Sequence, residues 1–122
     1  MNQKRHFIRV RFKAKCSLTH NKTNYPGQLE NISINGALIS LNDGIVIPRD
    51  DICSLTVYLE DENTPLHLVI EVMYCKFTMI GVKFTKKNAE TRKRLEDLID
   101  RLTTEQENLV KEQRLYCREI EE

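Results

Sequence analysis

A chain of 122 residues, 40% hydrophobic and 30% charged, has the length of one domain and the composition of a folded one, which excludes a disordered chain and leaves little room for a separate catalytic domain. Its formal net charge is +1, yet Met1 to Leu29 contains no acidic residue and holds Lys4, Arg5, Arg9, Arg11, Lys13, Lys15 and Lys22. No apolar run approaches the roughly 18 residues of a membrane helix, and the start of the chain lacks the apolar core of a signal peptide, so the cytoplasm is the expected compartment. In chain order, residues 8–16 set Ile8, Val10, Phe12, Ala14 and Cys16 against Arg9, Arg11, Lys13 and Lys15, the period of two that marks a strand with one face buried. Residues 21–27 contain Asn, Thr, Pro and Gly and read as a turn. Residues 28–30 read as the end of a second strand, and residues 31–36, Asn-Ile-Ser-Ile-Asn-Gly, as a polar loop closed by glycine.

Residues 37–41 form an apolar strand, followed by turn signals at Asn42-Asp43-Gly44 and Pro48-Arg49-Asp50-Asp51. Residues 52–59 alternate again, with Cys53, Leu55, Val57 and Leu59 on one face. After a loop at 61–65, residues 66–76 and 77–84 read as two strands whose junction carries no strong turn signal. Short strands at this spacing predict a small antiparallel barrel or sandwich. From Asn88 the period changes: Asn88 is placed as N-cap, with Thr91 at the third position, and Leu95, Leu98, Ile99 and Leu102 make a helical stripe. No Pro or Gly interrupts the chain from Asn88 onward, so the helix is expected to reach the end. Its second half is too polar for burial. Gln106 and Gln113 fall where a coiled coil wants apolar residues, so two readings stand: a degenerate homodimeric coiled coil, or a solvated helix.

Cys16, Cys53, Cys75 and Cys117 are widely spaced and form no C-x-x-C, so they read as ordinary reduced residues and no metal site is expected. His6, His20 and His67 stand apart from any nucleophile or carboxylate pair that would make a triad. No Walker loop, H-E-x-x-H or G-x-S-x-G is present, and the chain is not expected to be an enzyme.

Two short patterns remain. Arg5-His6-Phe7-Ile8-Arg9 is an R-x-x-x-R, and Asn31-Ile32-Ser33-Ile34-Asn35-Gly36 is an N-x-S-x-x-G. With Ile80-Gly81-Val82-Lys83-Phe84 late in the chain and a helix after it, the order resembles the PilZ domain family, bacterial receptors for cyclic di-GMP. The resemblance covers residues 4–102 and leaves 103–122 unexplained. It implies a six-stranded antiparallel β-barrel followed by a long C-terminal helix, divided here as a domain over 1–102 and a helical extension over 103–122. It also implies cyclic di-GMP as ligand rather than any cofactor. Arg5 and Arg9 would grip guanine edges and phosphates, since a guanidinium fork can donate two parallel bonds to guanine O6 and N7. Asn31 would meet a guanine edge. Ser33 would bond the base or its own loop, and Gly36 would allow close backbone approach or a positive φ. Asn31, Ser33 and Gly36 could equally form a self-bonded turn. A basic Lys4 beside the first arginine implies a stacked pair of dinucleotides.

The resemblance further implies an adaptor that changes conformation on binding and signals to a protein partner in motility, exopolysaccharide or biofilm control. Two other readings compete. The cationic first strand could serve a small nucleic-acid-binding barrel, although the stretch offers few exposed aromatics for base stacking. Alternatively, the chain could be a ligand-blind interaction module that oligomerises through its helix.

Overall fold

Residues 9–60 and 62–121 are described by the structure, a computed structural model, with side chains described as far as residue 109. Six strands, β1 (Val10–His20), β2 (Thr23–Ile32), β3 (Gly36–Leu41), β4 (Ile52–Val57), β5 (Leu66–Lys76) and β6 (Met79–Phe84), precede one helix, α1 (Ala89–Glu121). The strands close into a barrel in the order β1-β2-β3-β6-β5-β4. Every neighbouring pair is antiparallel, and β1 against β4 completes the ring. Closure leaves no long edge on which another strand could template.

The alternation read from the sequence sets the core. Cys53, Leu55 and Val57 of β4 are buried while Ile52 and Ser54 face out, and Leu66, Leu68, Ile70 and Val72 of β5 share one inward face. Leu95, Leu98, Ile99 and Leu102 of α1 join the same apolar cluster, each such side chain contributing roughly 1.5–3 kcal/mol by leaving water. The helix starts where expected: Asn88 Oδ1 accepts from the Thr91 amide at 2.7 Å, satisfying one of the unpaired first-turn donors. Polar contacts then pin α1 to the barrel. Arg94 donates to the carbonyls of Thr64 and Pro65 at 2.6 and 3.2 Å and to Glu62 at 3.2 Å. Gln106 Nε2 donates to the Arg11 carbonyl at 2.8 Å. Gln106 is thus a docking residue, which explains a polar side chain in the helix's apolar register.

Several boundaries differ from the sequence reading; the loop expected at 31–36 shrinks to 33–35, because Asn31 and Ile32 still belong to β2 and Gly36 opens β3. The expected turn at 21–27 shrinks to Asn21 and Lys22, both left-handed with φ of 50° and 69°, the two-residue hairpin geometry whose twist matches the flanking strands. Residues 23–27 instead extend β2. Pro26 is tolerated there because its carbonyl accepts from Asn42 N at 3.1 Å. Its nitrogen points the same way, past the end of β3, so the donor it lacks falls beyond the last rung of the β2–β3 ladder rather than within it. The junction of β5 and β6 is a turn at Phe77 and Thr78. Phe77 has φ of 57°, and a phenylalanine at a position that favours Gly or Asn is why no turn signal was legible. Finally, β4 ends at Val57 rather than Leu59, with Leu59 still buried.

Cys16 and Cys53 are 3% and 4% exposed. Burial, with Glu30 adding to it, pushes the Cys16 thiol up to about 12 from an ordinary 9.0. Burial and then Asp51 push Cys53 up to about 11. Both thiols should therefore resist a thiol reagent such as Ellman's in the native protein at pH 8 and react on unfolding, which timed labelling read by peptide mass spectrometry will check. The pH sign follows from linkage: the raised values favour the folded state fully below pH 9, and that contribution is lost as pH rises from 9 towards 12.

Candidate ligand site at the β2–β3 loop

Arg5 and Lys4 lie outside the described residues. Arg9 is described, immediately before β1, and is exposed. Its Nη1 donates to Asn31 Oδ1 at 3.1 Å, so the second arginine of one motif touches the first residue of the other across 22 positions of sequence. The strands explain the meeting. Arg11 pairs with Asn31 in the β1–β2 ladder, and the register shifts between Arg11 and Ala14. A second shift, between Leu29 and Asn31 on the β3 side, falls at the same place. Such bulges bend a strand and re-aim its side chains; here they flank Asn31. Glu30, at both shifts, is paired with Lys13.

The loop after Asn31 is held from three sides. Ser33 is buried and its hydroxyl is spent on the loop: Oγ accepts from the amides of Asn35 and Gly36 at 3.3 and 3.2 Å and lies 3.3 Å from the Gly36 carbonyl. The Ser33 amide donates to that same carbonyl at 2.8 Å. The structure thus places Ser33 as the organiser of the loop. Gly36 opens β3 opposite Lys83. Its φ is not positive; a Cβ there would sit 2.3 Å from the Val82 carbonyl oxygen, so close approach to β6 is what demands glycine. From β6 the Phe84 amide donates to the Asn35 carbonyl at 2.8 Å.

Sequence reasoning missed the third support. Lys87, between β6 and α1, donates from Nζ to the Ile34 carbonyl at 2.7 Å and stands 5.9 Å from the centre of the Phe84 ring, within cation–π range. Its ammonium is held below the ordinary lysine value by burial and then by Arg92, with Glu96 opposing. A basic pair, Lys86-Lys87, one residue beyond the end of the last strand was the only sequence signal.

The surface beside Asn31 is cationic, with Arg9 exposed immediately before β1 and Arg11 exposed on it. A groove of about 570 Å³ runs lower on the β1–β2 face, lined by Lys15, Ser17, Gln28, Asn42 and Tyr58 among others; it does not include the motif residues. Among the described residues no group of His, Cys, Asp and Glu could hold a metal, and no helix is long and apolar enough to cross a membrane.

Comparison with known proteins agrees with this geometry. A family model for the PilZ domain matches residues 3–101. No curated protein matches at a significant level. Solved structures do. The PilZ domain of CeSA from a cellulose-synthesizing bacterium is 14% identical with a TM-score of 0.66, over 79% of this chain and 98% of that one. The PilZ domain of Escherichia coli YcgR, solved with c-di-GMP, is 10% identical with a TM-score of 0.72, over 85% and 95%. The Bacillus subtilis inhibitor of motility MotI/DgrA is 14% identical with a TM-score of 0.67, over 83% of this chain and 50% of that one. At these identities the likeness is one of fold.

Proposed function

The chain belongs to the PilZ domain family, a family of binding domains rather than enzymes, and from that membership we propose that it is a cytoplasmic receptor for cyclic di-GMP, gripped by Arg5, Arg9, Asn31 and the loop from Ser33 to Gly36. The observation that carries the reading is the Arg9–Asn31 bond at 3.1 Å. It brings a guanidinium fork and a side-chain amide to one exposed spot beside a loop with a fixed backbone. Such a pair suits a ligand with guanine edges and two phosphodiesters: the fork can take O6 and N7 or a phosphate, and the amide can take a Watson–Crick edge. Lys4 adds charge for a second, stacked dinucleotide.

The output runs through residues 103–122 to a protein partner, in control of motility, exopolysaccharide or biofilm, or through a second copy of the chain. Leu109, on α1 beyond the Gln106 contact, is 56% exposed, an apolar residue left uncovered by the barrel. Sedimentation of the whole chain with and without ligand separates a homodimer from a monomer that awaits a different protein.

The first test is a calorimetric titration with cyclic di-GMP beside cyclic di-AMP. Micromolar or tighter binding of the first alone is the expected result, its stoichiometry deciding the role of Lys4. Salt-sensitive binding to any DNA or RNA, indifferent to the dinucleotide, would favour the nucleic-acid reading instead.

A further inference from the structure

The backbone of the β2–β3 loop leaves almost nothing to chance. The Gly36 carbonyl is taken by the Ser33 amide and the Asn35 carbonyl by the Phe84 amide. The Ile34 carbonyl lies between them, in a half-buried setting where an unpaired carbonyl is costly. It is taken by an ammonium, Lys87 Nζ, reaching across 53 positions of sequence at 2.7 Å. Water or a neutral side chain could satisfy a carbonyl. A half-buried cation costs more to place, since desolvation disfavours its charged form, and that cost needs a return.

We infer that Lys87 is a positioning residue of the dinucleotide site: its ammonium fixes the peptide at Ile34 and cancels the negative end of that carbonyl beside the place where a dianion binds. This inference rests on the receptor reading above. The argument is electrostatic as well as geometric. An uncompensated carbonyl oxygen close to a doubly negative ligand weakens binding, and a positive charge held on that oxygen offsets its field. The Phe84 ring below the ammonium and the adjoining bond from Phe84 N to Asn35 hold both partners in one frame. Lys87 also ties this loop to the segment that enters α1, since Asn88 caps the helix immediately after it.

The test compares the unaltered chain with Lys87→Met, which keeps the length of the side chain without donor or charge, Lys87→Arg, which restores both, and Lys87→Gln, which donates without charge. Calorimetry reads cyclic di-GMP affinity, and thermal melting of the free protein reads folding. The expected result is a loss of about tenfold in affinity for Lys87→Met, recovery to within about threefold for Lys87→Arg, and an intermediate value for Lys87→Gln, with a lower free-protein melting temperature for Lys87→Met, whose Ile34 carbonyl loses its donor, and nearly unchanged ones for the other two. If Lys87→Met melts too early to titrate, the Gln and Arg variants carry the comparison. Equal affinity in Met and unaltered chains overturns the inference and leaves the receptor reading standing. Equal losses in Met and Arg also overturn it, because the charge and donor would then not matter. If the unaltered chain binds no cyclic di-GMP, the receptor reading falls, and this role for Lys87 with it.

Discussion

Replacing Arg9 with alanine is expected to weaken cyclic di-GMP binding by roughly 30- to 1000-fold, or about 2–4 kcal/mol, while leaving the free protein almost as stable as before. Each half of that expectation has its own cause. Arg9 is exposed before β1 and, among the described residues, its hydrogen bond runs to half-buried Asn31; losing such a contact at the surface typically costs no more than about 0.5 kcal/mol. In the complex the same guanidinium would be desolvated against a guanine edge or a phosphate, where charge-assisted, two-pronged bonds are at their strongest. Calorimetry paired with thermal melting measures the two halves separately. Arg9→Lys sharpens the result, since it keeps the charge and loses the fork. A lysine variant that binds as well as the unaltered chain would show that only a cation is needed there, and would remove guanine reading from this residue.

Gly36→Ala should harm both stability and binding. The added Cβ would lie 2.3 Å from the Val82 carbonyl oxygen and 3.3 Å from its carbon. Those are backbone atoms of β6, locked by pairing on both sides, so the neighbour cannot retreat as a flexible side chain could. Relief requires β3 and β6 to part at the mouth of the site, at about 2–3 kcal/mol by analogy with other overpacked positions. For a domain of this size that is a fall of roughly 10 °C in melting temperature. The ligand loop would move with Gly36, because its Ser33 contacts run to the Gly36 amide and carbonyl. Gly44→Ala is the control: its nearest atom, the Phe77 carbonyl oxygen, would be at an ordinary 3.8 Å, and melting should barely change. Equal melting of the two variants would refute the steric argument.

The barrel was legible because most of its strands bury one face. Period-two alternation in β1 and β4 located the core face directly, and the stripe from Leu95 to Leu102 did the same for α1. What escaped the sequence was local and stereochemical. Pro26-Gly27 has the composition of a turn, and only the ladder shows that Pro26 sits where β2 has lost one neighbour. Phe77 adopts a left-handed φ that its side chain does not advertise. In the candidate site, the two motifs were visible as patterns, and the Arg9–Asn31 contact joins them. The purpose of Gly36 could be narrowed only with β6 in place, since close approach is a property of two strands. Lys87 was illegible for a related reason: its partner is a backbone carbonyl far away in sequence, and a carbonyl has no letter of its own.

The anchoring of α1 has a mechanical consequence. The helix is 33 residues long, about 50 Å at 1.5 Å per residue, but its last named hold on the barrel is Gln106 on the Arg11 carbonyl. From Gln106 the helix axis runs on for some 15 residues, roughly 22 Å, so a tilt of about 10° at that point corresponds to about 4 Å at the last turn. Arg11 is two residues from Arg9 and pairs with Asn31. The Gln106 contact therefore sits on the strand that adjoins the proposed ligand site, where displacements too small to alter the barrel correspond to larger ones at the far end of the helix.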